Sequence, residues 1–310
     1  MDASLRGDRV LITGARGFMG HHLRAAVRAA GAEVHGVSRI RHGYDGDGVR
    51  WWRADMEDAE AVKRTISAVQ PDIVYHLSGL AQGGASLDLV LPTFRSLLLG
   101  TVNLLSAVTV AGCRRTVLIA SLEEPTGDAA EAAPASPYGA AKWAAGAYGR
   151  MFHRLYRTPV AVARVFMMYG PHQAEHKVIP YSILSLLDGR PPRLSSGERE
   201  LDWIYADDVV EGLVHAGIAP GLEGATVDLG SGEATSIREV ASEIARLVNP
   251  EVLPLFGVMP DHPQPGERAR VADTGKAGRL LGWSARTPLR EGLARAVEWY
   301  SRRRRGEAIA

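Results

Sequence analysis

The chain has 310 residues, 46% of them hydrophobic and 23% charged, with a formal net charge of +1. That size supports a substantial buried core, as one large α/β unit or one domain with a smaller lobe, and the balanced charge excludes nucleic acid or a membrane surface as a partner gathered by bulk electrostatics. The single cysteine, Cys113, excludes an intramolecular disulfide; with a short polar Met1–Asp8 and no apolar run expected to reach a membrane span, a cytoplasmic protein is expected.

Strand and helix patterns alternate from the start. Arg9–Thr13 reads as a strand, Phe18–Ala30 as a helix ended by Gly31, and Glu33–Val37 as a second strand. Val49–Arg53 is a third short strand, followed by a helix over Asp58–Val69 that Gln70-Pro71-Asp72 stops. Ile73–Leu77 reads as an apolar strand of the buried parallel type. A helix over Thr93–Ala111, a strand over Arg115–Ala120, a long helix over Ser136–Tyr156 and a strand over Val160–Val165 complete the regular part. This alternation predicts an α/β fold with a doubly wound parallel sheet.

After Tyr169-Gly170-Pro171 the pattern loosens. Helices are expected over Pro180–Leu187, Ala206–Ala219, Ile237–Val248 and Leu289–Ser301, with strands at Asp202–Tyr205 and Thr226–Leu229. A dinucleotide-binding domain is expected over 1–170, with 202–230 returning to it. A smaller, mostly C-terminal α/β lobe, 171–201 and 231–310, is left to bind substrate. Arg302–Arg305 reads as a solvated chain end.

The organising stretch is Val10 to Gly20, a buried strand that runs into a G-x-x-G-x-x-G turn and then a helix. Such a turn lets main-chain N–H groups approach a pyrophosphate at the positive end of the helix. Gly14, Arg16, Gly17, Phe18, Met19 and Gly20 form this expected site. In this fold an acidic residue after strand two binds the ribose hydroxyls of NAD, whereas an Arg there accommodates the extra phosphate of NADP. Here strand two runs into Ser38-Arg39, a hydrogen-bond donor and a cation, and Arg16 can add to the same pocket. NADP is expected, with NAD the alternative if Arg39 only stacks on adenine.

Tyr138 and Lys142 lie four apart near the start of the long helix and share one face. An ammonium beside a phenol stabilises the phenolate and lowers its pKa, so the pair can exchange a proton with a carbonyl or alcohol oxygen while hydride moves to or from nicotinamide.

With Gly14–Gly20, Tyr138–Lys142, Tyr169-Gly170-Pro171, Asp202–Asp208, Leu229-Gly230-Ser231-Gly232 and Leu281-Gly282-Trp283 in this order, the chain resembles an extended short-chain dehydrogenase/reductase of the nucleotide-sugar epimerase/dehydratase type. The resemblance implies a Rossmann sheet and an enzyme acting on a nucleotide sugar. It implies Asp55 and Met56 beside the adenine, and Leu77, Ser78 and Gly79 along the cofactor cleft. Tyr138 would be the acid/base, with Lys142 binding the nicotinamide ribose and lowering the Tyr138 pKa. It also implies a homodimer through the helices over Thr93–Ala111 and Ser136–Tyr156. The family's catalytic Ser or Thr after strand five falls at Leu122 by direct counting and at Ser121 with one inserted residue. Ser121 is preferred because it supplies a hydroxyl. Ser121-Leu122-Glu123-Glu124 is then similar to the S-S-E-E-Y-G of 4-keto-6-deoxy-sugar reductases.

Three usual diphosphate contacts are missing: Met167 replaces an Asn, Leu201 an Arg, and Gln264 the Arg of R-P-G. Lys177, Arg199 and Arg268 are the candidates to replace them. His172 and His176 lack the acid partner of a metal site, and no metal is expected. The expected reaction is NADPH-dependent 4-ketoreduction of a nucleotide 4-keto-6-deoxyhexose. The alternatives are a 4-epimerase or a 4,6-dehydratase with internally recycled cofactor, the latter needing Glu123 and Glu124 as its acid/base pair. A catalytically silent NADP-binding sensor is the alternative from another class.

Overall fold

The computed structural model describes residues 5–40, 48–125, 133–261 and 270–307. The elements, in order, are β1 (Arg9–Thr13), α1 (Phe18–Ala29), β2 (Glu33–Ser38), β3 (Arg50–Arg53), α2 (Ala59–Val69), β4 (Ile73–His76), α3 (Val90–Thr93), α4 (Gly100–Ala111), β5 (Arg115–Ser121), α5 (Pro137–Tyr156) and β6 (Val160–Val165). There follow β7 (Met167–Tyr169), α6 (Val178–Leu187), β8 (Glu200–Tyr205), α7 (Ala206–Ile218), β9 (Thr226–Leu229), β10 (Ala234–Ser236), α8 (Ile237–Val248), α9 (Thr274–Leu281) and α10 (Leu289–Arg304).

Val10, Leu11 and Ile12 are almost completely buried, because β1 has a parallel neighbour on each side and helices cover such sheets on both faces. The seven-stranded sheet runs β3-β2-β1-β4-β5-β6-β9. The pairings from β3 through β6 are all parallel. Strand order reverses between β1 and β4, so the chain leaves the carboxyl ends of these two strands in opposite directions. A crevice opens there, which is where ligands bind in doubly wound sheets.

The chain divides into two compact units, Met1–Val165 with Val210–Asp228 and Gly275–Trp283, and Phe166–Val209 with Leu229–Thr274 and Ser284–Ala310. This corrects the expected boundaries. Residues 202–209 stay in the second unit because β8 is the central strand of a separate three-stranded sheet, β10-β8-β7. Gly275–Trp283 returns instead to the first unit, where His215 Nδ1 bonds the Leu281 carbonyl at 2.9 Å.

The second unit is built around Tyr169, Trp203 and Tyr205 of its sheet, packed with Ile183 and Leu186 of α6, Val240 and Ile244 of α8, and Leu293 and Tyr300 of α10. Asp202 holds it together. Its buried carboxylate accepts from the Ser231 N–H and hydroxyl at 2.7 Å each, and from the Gly232 and Ala272 N–H groups at 2.9 Å each. Asp208 likewise accepts from the Arg286 and Thr287 N–H groups. Asp202 and Asp208, the first and last residues of that motif, therefore tie loops to the unit.

One expectation about apolar runs is corrected. Leu87–Ala111 forms a continuous 25-residue helical run, long and apolar enough by length and composition to cross a membrane. It includes a π-helical stretch at Phe94–Leu99. The run escapes notice in sequence because Pro92, Thr93 and Ser96 interrupt its apolar residues. Its Leu97, Leu104, Leu105 and Val108 are buried in the first unit, while Leu87, Leu91, Phe94 and Val110 are exposed.

Candidate active site

The glycine turn follows β1 directly. Gly14 has φ +67°, and a Cβ on it would come within 2.8 Å of the Ser78 nitrogen. Gly20 lies so close under the turn that a Cβ would meet the Gly14 oxygen at 2.4 Å. The turn is thus pressed against β4 on one side and α1 on the other. Gly17 precedes the first turn of α1 and places no side chain on its N–H groups, and that turn carries no acidic residue. These N–H groups suit an anion.

A cleft of about 550 Å³ opens beside this turn. Gly14, Arg16, Gly17, Ser38, Arg39, Asp55, Met56, Leu77, Ser78 and Gly79 all line it. Phe18 and Met19, in the first turn of α1, and the buried Gly20 are not among the lining residues. Phe18 packs edge-on against His22. Pro92 and Ser96 join the lining from the helical run, and the Ser96 hydroxyl accepts from the Leu80 N–H at 3.1 Å. A groove of this size, with a main-chain cradle for phosphate at one side, fits a dinucleotide.

Ser121 ends β5, and Tyr138 and Lys142 lie on the first two turns of α5. Ser136 starts that helix by accepting from the Gly139 N–H at 3.0 Å, with Pro137 at the first position. The Ser121 hydroxyl lies near enough to the Tyr138 side chain to favour its ionised form, and it accepts from the Glu123 N–H at 3.2 Å. Lys142 Nζ donates to the Ile119 carbonyl at 2.9 Å.

Burial pushes the Tyr138 hydroxyl up to about 12; the Ser121 hydroxyl opposes the shift, and the carboxylates of Glu123 and Glu124 add to it. Burial also draws Lys142 down to about 8, against the pull of Glu124. Burial outweighs every opposing influence on Tyr138, so its pKa is raised and not lowered in this structure. The Lys142 ammonium is turned to a strand carbonyl, and Tyr138 rests protonated.

Glu124 is buried. It accepts from the Ser121 N–H at 3.0 Å, and it lies 3.9 Å from Arg164, which in turn bonds Asp228 at 2.8 Å. Glu123 accepts from the Ser136 hydroxyl at 3.3 Å. Both carboxylates thus hold the Ser121 turn and the start of α5.

Sequence reasoning missed His76, the last residue of β4. Thr101 donates its hydroxyl proton to the Leu97 carbonyl, so at 3.0 Å it accepts from His76 Nε2–H. His76 Nδ1 is then bare and accepts from the Thr13 hydroxyl at 2.8 Å. That hydroxyl accepts in turn from the Ser78 N–H at 3.2 Å. One neutral ring thereby ties β1, β4 and α4 beneath the cofactor cleft. Burial, helped by the Lys142 charge, draws its pKa down to about 3. The available signal was a lone polar ring in an apolar strand, one residue before the cleft loop.

The substrate candidates are less gathered. Lys177 is exposed just before α6, and Arg199 is half-buried just before β8. Arg268 lies outside the described residues. Leu201, where the family usually has Arg, belongs to the core of the second unit. Among the described residues, no group of three or more His, Cys, Asp or Glu could hold a metal ion. His172 packs against Trp299.

A glycine turn at the strand-order reversal and a Ser-Tyr-Lys group on the neighbouring strand and helix define a short-chain dehydrogenase/reductase site. Residues 10–230 match the model of the NAD dependent epimerase/dehydratase family. The UDP-glucose 4-epimerase of Mycolicibacterium smegmatis is 31% identical over 94% of this chain and 98% of the relative. A probable dTDP-glucose 4,6-dehydratase of Sinorhizobium fredii is 28% identical over 94% of this chain and 92% of its own. The solved UDP-glucose 4-epimerase of Thermus thermophilus in complex with NAD superimposes with a TM-score of 0.81 at 27% identity, covering 94% of this chain and 99% of that one. The chain belongs to the NAD dependent epimerase/dehydratase family, and it is an enzyme of the extended short-chain type.

Proposed function

We propose that the protein uses NADPH to reduce the 4-keto group of a nucleotide 4-keto-6-deoxyhexose. The observation that carries this reading is the rim of the cleft. β2 runs into Ser38-Arg39 instead of a carboxylate, and Arg16 lines the same cleft. A hydroxyl and two guanidinium groups suit a phosphate on the adenosine ribose.

Bound in this cleft, the nicotinamide supplies the hydride. The chain supplies the proton and the geometry. Tyr138 rests as a neutral acid with its pKa about 12, ready to donate to a ketone oxygen as negative charge develops there. The Ser121 hydroxyl stands beside that donor and favours release of its proton. Lys142, held by the Ile119 carbonyl, places a cation on the same helix face. Reduction begins with the proton already on Tyr138, whereas oxidation of a sugar hydroxyl begins with it removed.

A 4-epimerase is the second reading, favoured by the 31% identical relative that this chain matches along nearly its whole length. A 4,6-dehydratase is disfavoured, since Glu123 and Glu124 are spent on Ser136 and on Ser121. We place the enzyme in the cytoplasm as a homodimer. Leu91, Phe94, Tyr148 and Leu155, exposed on the helical elements of the first unit, would form the contact; sedimentation at monomer mass would overturn it.

The test is a panel of UDP-, GDP-, CDP- and dTDP-linked 4-keto-6-deoxyhexoses, each with NADPH and with NADH. Consumption of NADPH with one nucleotide series supports the reading. Failure of every nucleotide sugar to bind overturns it in favour of a smaller ketone or alcohol.

A further inference from the structure

Trp51 lies on the edge strand β3, in register with Gly36 of β2. Gly36 makes room for it, because a Cβ at that position would come within 2.6 Å of the indole ring. Two guanidinium groups sit over the ring, Arg16 with its Cζ 4.6 Å from the centroid and Arg24 at 5.4 Å. Both distances are in the range where a cation is attracted to an indole face. Arg24 comes from α1, where it also reaches His21 Nδ1 at 3.3 Å. Arg16 comes from the exposed glycine turn and lines the cofactor cleft with Ser38 and Arg39.

An arginine on an exposed turn samples many rotamers, and fixing one of them on binding an anion costs entropy. A platform that holds the guanidinium before the anion arrives removes part of that cost. We propose that Trp51 is a positioning residue for cofactor selectivity. It holds Arg16 at the rim of the cleft so that Arg16, Ser38 and Arg39 together receive the phosphate on the adenosine ribose of NADPH. Trp51 touches no phosphate itself and acts through Arg16. The inference rests on the NADPH reading above. NADH lacks the phosphate, so its binding draws nothing from this arrangement.

The experiment measures dissociation constants of NADPH and NADH by titration calorimetry on the 310-residue chain and four variants, Trp51→Leu, Trp51→Phe, Arg16→Met and the double variant Trp51→Leu with Arg16→Met. Trp51→Leu is expected to weaken NADPH binding roughly fivefold, the size of an exposed cation–π contact, and to leave NADH unchanged. Trp51→Phe, which keeps an aromatic face, should recover most of the NADPH affinity. Arg16→Met should lower NADPH affinity at least as much as Trp51→Leu, and the double variant should be no weaker than Arg16→Met alone. Equal weakening of both cofactors in Trp51→Leu would mean that Trp51 only supports the edge strand, and it would overturn the proposal. So would full NADPH affinity in Trp51→Leu with the wild type still preferring NADPH; the cofactor reading would then stand. A wild type that prefers NADH overturns the cofactor reading and this proposal with it.

Discussion

Lys142 Nζ donates to the carbonyl of Ile119 at 2.9 Å, two residues before Ser121 on the same strand. This bond ties α5 to β5 through the residues that carry the chemistry. Ser121, Tyr138 and Lys142 are thus held by secondary structure, with no loop needed to bring them together.

Replacing Tyr138 with Phe removes the one hydroxyl that can pass a proton to the substrate and keeps the ring. Turnover is expected to fall by roughly a hundredfold to ten-thousandfold, with cofactor affinity nearly unchanged. Steady-state kinetics and a binding titration on one preparation check both halves. Full activity in the variant would remove Tyr138 from the mechanism.

The buried Lys142 ammonium, with its pKa at about 8, gives the rate an alkaline limit. kcat/KM should fall as pH rises through about 8, where the cation is lost. Stability moves the other way. The unfolded chain keeps this proton to its ordinary 10.5, so across the window the unfolded state binds more protons and stability rises with pH. A loss of rate without a loss of Tm therefore isolates the charge. Lys142→Arg, whose cation persists, should move the limit upward if it retains activity.

His76 predicts an acid weakness. Its pKa is about 3 in the fold against an ordinary 6.5. Between these values the unfolded chain takes up a proton that the folded chain refuses. The stabilisation is complete above about 6.5 and is lost as pH falls toward 3, at up to about 1.4 kcal/mol per pH unit. Urea melts of the wild type and of His76→Gln across that window should show a flatter pH dependence in the variant; equal slopes would mean that His76 does not control acid stability.

Arg39→Asp puts a carboxylate where NAD-binding members of this fold carry one. The ratio of NADPH to NADH affinity should fall by tenfold or more, since a charge-assisted contact becomes a repulsion. An unchanged ratio would mean that Arg39 lies on the adenine and not on the phosphate.

The cofactor half was legible in sequence because its devices are local. A glycine turn announces itself within seven residues, from Gly14 to Gly20, and the Tyr138–Lys142 spacing within five. Those positions needed no knowledge of the tertiary fold. What was hidden depends on distant partners. His76 acquires meaning only from Thr13 and Thr101, and Glu124 only from Ser121 and Arg164. The three-residue strands Met167–Tyr169 and Ala234–Ser236 are too short for a periodic signal. They form because β8 offers both of its edges. The division between the units was misjudged for the same reason, since Asp202–Tyr205 looks the same whichever sheet accepts it.

The most direct test of the 4-ketoreductase reaction is isotopic. The enzyme is incubated with NADPH deuterated at the transferring position and with nucleotide 4-keto-6-deoxyhexoses, and the product is weighed. The expected product is a 4-hydroxy sugar nucleotide carrying the label, with one NADPH oxidised for each product formed. Interconversion of 4-hydroxy epimers of a nucleotide sugar, with no label gained and no net oxidation of NADPH, would contradict that reaction.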